Sequence, residues 1–431
     1  MDDDEQQAED FAAWEEVDAD EAGLGSGPPE VTGVTSGDGR APPPWAELSR
    51  LLALNRKDLR EAAKTLGAGE SRFLVDQYYA LQQYRISAAN QVRALGVARE
   101  PNDAVRWVQA QFLRVEEDIK AALDVYTMWE PTGMGRWVRR VVGVGPVIAA
   151  GLVCHLDIQQ ARTVGHWWRF AGLDPTNEWL GTERARRLVD EAYLATGEEG
   201  PPGPTVYAWL AQQTHRSLAA IERLSRDKQG TPSRTALASG LARRPWNASL
   251  KVLLWKAGES FVKTMNHPEG FYGRVFAERK QAEQAHNEAG HYADQARAKL
   301  ERYKIGRDTD AWLWYSGSLT PEDGRRVVAA PAGERAALAR KLAVAPGTGV
   351  PMLPPGHVHA RAKRYAVKHF LAAYHEEAYR RRYGVLPPVP FAIAHLGHAH
   401  KMASPVPFTP VPGEADRAPI PKGAERPGKR A

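Results

Sequence analysis

Three features of the sequence predict a mainly α-helical protein. Two long stripes of apolar residues recur at helical spacing, no segment shows a convincing period-2 alternation, and glycine or proline marks the ends of the periodic segments. The expected architecture is a coiled-coil helical hairpin followed by a helical domain that contains a helix–hairpin–helix, between disordered termini.

The first element is an arm. Residues 1–40 hold 13 acidic residues against one base, Arg40, a net of −12. The arm has few apolar residues and much Gly, Asp and Glu, so it is expected to be disordered. The remainder carries 56 bases and 39 acids, a net of +17, which points to a polyanion partner, most simply duplex DNA. The arm is then either a solubilising tail or a competitor for the basic body. The opening Met1-Asp2-Asp3-Asp4-Glu5 is the opposite of a signal peptide.

Residues 41–130 carry the helical hairpin. Leu74, Tyr78, Leu81, Ala88, Val92 and Leu95 form one heptad-like stripe; Val105, Val108, Phe112, Val115, Ile119, Leu123 and Tyr126 form the other. Gly96 and Pro101 predict a turn at Gly96–Asn102. Two helices alone bury little, so residues 70–128 are expected to pair with a second chain as a homo-oligomer.

The most apolar stretch is RRVVGVGPVIAAGLVCHLD, residues 139–157. Its uncharged run from Val141 to Cys154 is 14 residues, short of the roughly 20 a membrane span needs. The chain is therefore expected to be soluble and cytoplasmic, without a membrane partner. Cys154 is the only cysteine, which excludes an intrachain disulfide and a cysteine-based metal site. The stretch fits a helix–hairpin–helix. One helix ends near Val142, Gly143-Val144-Gly145 turns with positive φ, and Pro146 opens a second helix to about His155. Such a turn presents backbone N–H groups and a helix dipole to an anion such as a DNA phosphate, with Arg136, Arg139 and Arg140 adding charge. A tight packing turn between two core helices is the other reading of the same residues.

The hairpin opens a domain over 131–317. Residues 182–240 look inserted into it, with the helices TERARRLVDEAYLAT and TVYAWLAQQTHRSLAAIERLSR around the breaker GEEGPPGP. His286, Glu288 and His291 fall on a long polar helix, at a spacing wrong for two metal ligands on one face. Residues 318–355 resemble a second insertion, rich in Pro, Gly and Ala. Within 356–403, GHVHARAKRYAVKHFLAAYHEEAYRRRYG (356–384) reads as one basic amphipathic helix. Tyr365, Phe370, Leu371 and Tyr374 give its apolar side; Arg361, Lys363, Arg364, Lys368, Arg380, Arg381 and Arg382 give its charge. It either contacts a nucleic-acid backbone or lies on the body as a surface helix. HLGHAH (395–400), with His395, His398 and His400, and with His357 and His359 upstream, raises zinc, but no local acid joins them and no cofactor is identified. Residues 404–431 are proline-rich and expected to form an extended tail without a core. The 13 tryptophans, Trp167 and Trp168 among them, suit core positions.

GVGPVIAAGLVCHLDI is followed by GHWWRFAGLDPTNEWLG (165–181) and, after the insertion, RRPWNASLKVLLWKAGESFVK (243–263). This order resembles the C-terminal domain of the insertion-sequence one-ten family of DEDD transposases, relatives of Piv-type DNA invertases. Gly143, Gly145, Ala149, Ala171, Gly172, Leu173, Pro175, Gly181, Asn247 and Leu250 fall into the family order, over about 131–181 and 243–265. The resemblance implies DNA handling in transposition or site-specific recombination, with a structured RNA as a further possible partner. It adds Arg243, Arg244 and Lys251 to the candidate DNA contacts. Two departures bear on catalysis. The family's acidic nuclease domain, which binds divalent metal, has no counterpart, so a metal would need an acidic site supplied elsewhere. The family's serine position is Leu180, which cannot be a nucleophile. Ser239, before Gly240, is the only nearby substitute. Catalytic residues are therefore not assigned, and a non-catalytic structural or regulatory protein of a phage or mobile element is the alternative.

Overall fold

The computed structural model describes residues 56–174, 179–303, 305–389 and 404–410. Its described residues form 17 α-helices and one isolated β-bridge, Arg226 with Pro232, so the chain is mainly helical. The arm 1–40, the HLGHAH histidines and residues 411–431 lie outside the described residues. The chain divides into two compact units, the second being residues 168–251.

In the first unit, α1 (Arg56–Ala62) precedes the two long helices α2 (Ala68–Ala98) and α3 (Asp103–Trp129), which pack on each other. The turn falls later than Gly96 suggested. Gly96 stays inside α2, and Arg99 takes the left-handed position at φ 59°. The N–H groups of Arg99 and Glu100 close back on the carbonyls of Gly96 and Leu95. Two satisfied carbonyls offset the roughly 1–2 kcal/mol that a non-glycine residue pays there. The hairpin is anchored at its base, where Val75, Ile119, Leu123 and Tyr126 are buried. Between Val75 and Glu116 no residue is buried. Trp107 is 64% exposed, and Tyr84, Leu113 and Val115 are exposed too.

Past α4 (Met134–Val138) and α5 (Pro146–His155), α6 (Val164–Phe170) crosses into the second unit. That unit holds α7 (Gly181–Thr196), α8 (Pro204–Thr214), α9 (Leu218–Ser225) and α10 (Arg234–Ala242). Val189, Tyr193, Val206, Leu210, Ile221, Leu237 and Leu241 close over a core of their own. The predicted single helix over 205–226 is two. His215 turns left-handed at φ 51°, and the Ser217 side chain caps Ala220 N–H to restart the chain as α9. The autonomous piece, 168–251, is wider than the expected insertion 182–240 because Leu180 and Ala242 pack on the same core.

The first unit resumes in α11 (Ala248–Lys263), followed by α12 (Phe271–Glu288), α13 (Ala293–Arg302), α14 (Asp310–Tyr315), α15 (Pro321–Ala329), α16 (Ala332–Leu342) and α17 (Pro355–Tyr383). Residues 318–355 are folded rather than a loose insertion. Thr320 caps α15, and Leu319, Val327, Ala339 and Met352 pack around Trp314. The polar helix around His286 is likewise not simply solvated. It ends at Glu288, Gly290 turns at φ 81°, and Asn287 is buried with its amide bonded to both the N–H and the carbonyl of Leu353.

The helix at 356–384 requires the largest correction. α17 is an interior helix, packed along α12, not a basic surface helix. Val358, Ala362, Val367, Phe370, Leu371 and Tyr374 are buried, and so are Lys363, His375, Glu376, Glu377 and Arg380. Burial of these charges is tolerable because each has a partner. Lys363 pairs with Glu259, Arg380 with Glu376 at 2.6 Å, and the partly exposed Arg361 and Arg381 pair with Glu283 and Glu377. The composition of the helix is basic, but its carboxylates and those of its neighbours absorb much of that charge.

Candidate nucleic-acid interface

The hairpin turn is built from three directions. α4 ends at Val138, the chain turns through residues 139–145, and α5 starts at Pro146. Gly143 has φ +94°, a conformation that favours glycine, and a Cβ there would meet Phe261, Thr264 and Ser260 at 3.1–3.4 Å. Gly145 differs from expectation. It is the N-cap of α5 at φ −80°, an ordinary extended value, and a Cβ there would find nothing within 4 Å. Its glycine is therefore not demanded by backbone strain, and the space in front of it is open.

The carbonyls of the turn are held from the protein side. Ser260 Oγ donates to the Gly143 carbonyl at 2.6 Å. Arg139 Nη1 donates to the Val144 carbonyl at 3.2 Å, while its Nη2 pairs with Asp124 at 2.9 Å. Arg139 is thus a clamp on the turn rather than an outward cation. The N-terminal N–H groups of a helix lack intrahelical partners. In α5, Pro146 contributes none, no side chain caps the end, and the donors of Val147 and Ile148 remain at the positive end of the dipole. Val144, Val147, Ala149 and Leu152 are buried beneath, with Gly151 fitted against Leu253.

Of the other predicted contacts, Arg140 is exposed beside the turn. Arg136 is exposed as well, and its Nη1 donates to the Met128 carbonyl at 2.6 Å. In the second unit Arg243 and Arg244 are exposed, Arg244 lying over the Trp179 ring at 4.7 Å; Lys251, half-buried, lies over Trp246 at 4.3 Å. On α17, Lys363 is 1% exposed and sealed against Glu259, so it cannot reach a ligand in this fold. Arg361 is committed to Glu283 at 2.9 Å. Arg364 and Lys368 are half-buried.

Of the positions that carry the transposase resemblance, Gly143, Gly145 and Ala149 belong to the first unit, Pro175 lies outside the described residues, and those of the second unit are packing positions. Ala171 and Leu173 are buried, Gly172 turns at φ +65° under Trp246, and Asn247 N–H donates to the Phe170 carbonyl at 2.8 Å. Asn247 also caps Leu250 N–H at 2.8 Å. Leu180 packs on the core of the unit. Ser239 is an exposed residue within α10, with Gly240 against Leu224, rather than a residue on a strained turn.

Burial also settles where the histidines of α17 stand. His357 and His359 are pushed down to about 3 and His369 to about 4, each chiefly by burial and then by neighbouring cations. His357 Nδ1 is 3.3 Å from the Tyr315 hydroxyl, and the His359 ring packs edge-on to Phe276. Among the described residues no three His, Cys, Asp or Glu side chains are grouped so as to hold a metal ion, and no helix is long and apolar enough to cross a membrane. Ser260, Asp124 and Glu259 were not legible as site residues: they lie 117, 15 and 104 residues from the groups they hold. Comparison with protein-family models, with curated proteins and with solved structures finds no match.

Proposed function

We propose that this chain is a DNA-binding protein that seats a backbone phosphate on the turn between α4 and α5, in the manner of a helix–hairpin–helix. The observation that carries the reading is the polarity of the turn. Ser260 and Arg139 draw the Gly143 and Val144 carbonyls inward, while the N-cap at Gly145 is open, a Cβ there meeting nothing within 4 Å, and no side chain caps the donors of the next turn. Arg140 beside the turn and the +17 charge of residues 41–431 add long-range attraction. Transposition or site-specific recombination is the process the family resemblance favours. Catalysis has less support, because Leu180 packs against the core of the second unit and Ser239 lies on a plain helix surface.

The test is binding of a labelled duplex at a series of salt concentrations, with duplex DNA, single strands and structured RNA as competitors. Phosphate recognition predicts that log affinity falls linearly with log salt, because counterions are released. Affinity that stays flat between low and moderate salt overturns it, and preferential competition by RNA reassigns the ligand. Assembly through the helical hairpin is part of the same reading. Its outer half presents Trp107, Leu113 and Val115 exposed, with no covering element among the described residues, which favours pairing with a second copy over residues 70–128.

A further inference from the structure

Residues 404–410, SPVPFTP, do not behave as a tail without a core. They lie in a cleft between α4 and α17 and are held there by named contacts. Trp137 Nε1 donates to the Pro407 carbonyl at 3.0 Å, and the Trp137 and Phe408 rings stack at 6.2 Å with an interplanar angle of 11°. The Arg380 guanidinium lies over the other ring system, 4.7 Å from the Phe408 centroid, and its Nη1 donates to the Thr409 carbonyl at 3.2 Å. Glu377 completes the grip. Its two carboxylate oxygens accept from the Thr409 N–H and the Thr409 hydroxyl, each at 2.8 Å. Val406 is buried beside them.

Two features suit this cleft to holding the segment as a ligand. The cleft reads the backbone of a short segment through two side chains that are nearly fully buried with the segment in place, Glu377 at 0% exposure and Arg380 at 4%. Each of those has a second partner on its own helix, Arg381 and Glu376, so departure of the segment strands neither charge. The segment in turn is suited to be a ligand. Pro405, Pro407 and Pro410 restrict φ and lower the entropy lost on docking, and a ring between prolines is the pattern that aromatic-lined grooves accept.

We propose that the cleft formed by Trp137, Glu377 and Arg380 is a peptide-recognition site for a proline-rich segment containing Phe-Thr-Pro, and that residues 404–410 of the same chain are its resident, displaceable ligand. The site grips α4 within a few residues of the turn at Gly143, so occupancy and the position of that turn are physically linked. The inference itself does not rest on the DNA reading.

The experiment uses the full chain and a fluorescent SPVPFTP peptide followed by anisotropy. A tethered ligand competes at high effective concentration, so the parent protein is expected to bind the free peptide weakly. Phe408→Ala, which loosens the resident segment, is expected to bind it about tenfold tighter or more. Adding Glu377→Gln to that variant is expected to abolish binding while circular dichroism stays that of the parent. A second arm guards against misfolding: a protease site is placed within residues 390–403 and cut after folding. The proposal expects the 404–431 fragment to co-elute with the body and to be chased off by excess peptide. A folded Phe408→Ala variant that does not bind the peptide overturns it. A cut fragment that excess peptide cannot displace also overturns it, because the segment is then core. A parent protein that elutes as a tail-exchanged dimer overturns the assignment of the ligand to its own chain.

Discussion

The Ser260 hydroxyl donates to the Gly143 carbonyl at 2.6 Å, across 117 residues of sequence. One side chain of α11 therefore fixes the direction in which the turn between α4 and α5 faces. Replacing Ser260 with Ala leaves that carbonyl without its donor and is expected to cost about 1–2 kcal/mol of stability. Chemical denaturation checks the loss; a duplex-binding measurement on the folded variant is expected to show weaker binding at every salt concentration.

Gly145 and Gly143 separate binding from folding. Gly145→Asp places a capping carboxylate at the start of α5, in open space. It is expected to hold or raise stability by a few tenths to about 1 kcal/mol, through the cap and the helix dipole. DNA affinity is expected to fall about tenfold or more, since the carboxylate takes the donors a phosphate would use. Higher Tm with unchanged DNA affinity assigns the turn to packing alone. Gly143→Ala works the other way. A side chain at φ +94° against Phe261 and Thr264 is expected to lower stability by about 2–4 kcal/mol.

Lys363 and Arg140 were equal candidates by sequence and are opposite by structure. Lys363→Ala empties a buried site and removes the ion-pair partner of Glu259, an expected cost of about 3 kcal/mol. Duplex affinity of the protein that remains folded is expected to match the parent. Arg140→Ala is expected to leave stability within about 0.5 kcal/mol and to weaken binding with a shallower salt slope. A Lys363 variant that folds normally and loses DNA would sink the buried-pair assignment.

Acid sensitivity follows from the interior histidines. His357 and His359 are held near 3, and His155 and His369 near 4, against an ordinary value of 6.5, by burial first. The unfolded chain takes up protons as pH falls through about 6.5, while the fold keeps these rings neutral. Their contribution is complete above that pH and is lost progressively as pH falls toward 4 and 3. Denaturation midpoints are expected to drop steadily from pH 7 to pH 4; a flat profile over that window counts against neutral, buried rings.

Trp107→Glu, on the exposed outer half of the hairpin, is expected to leave the monomer folded and to shift light-scattering mass toward one chain. Removing residues 1–40 removes a net −12 and is expected to raise duplex affinity at low salt if the arm competes for the basic body. Unchanged affinity makes the arm a solubility tail.

What was legible in the sequence followed its local periodicities. The stripes through Leu74 and Val105 marked α2 and α3, and Pro146 and His155 bound α5 where glycine and proline placed it. What failed depended on partners far along the chain. Arg361 and Lys363 read as surface charge because Glu283 and Glu259, which neutralise them, lie 78 and 104 residues away. Gly145 read as a strained glycine, whereas only Gly143 has positive φ, a distinction that side-chain identity cannot make. Val406 and Phe408 read as tail because a ring between prolines carries no periodicity, and the carboxylate that holds Thr409 is on another element. Arg99 takes the left-handed position three residues after Gly96, the glycine expected to mark the turn, and its identity gives no sign of it.

The central placement of α17 orders events at the ribosome. Its side chains close on α4, α11 and the segment after α5: Tyr374 on Trp137, Lys363 on Glu259, and His375 on the Ala161 carbonyl at 2.9 Å. Those surfaces are translated roughly 100 to 200 residues before the helix that covers them. Residues 168–251, with their own core, can condense meanwhile. The faces of the first unit that α17 covers cannot close until residues 355–383 leave the exit tunnel, so completing that part of its core is expected to be a late step.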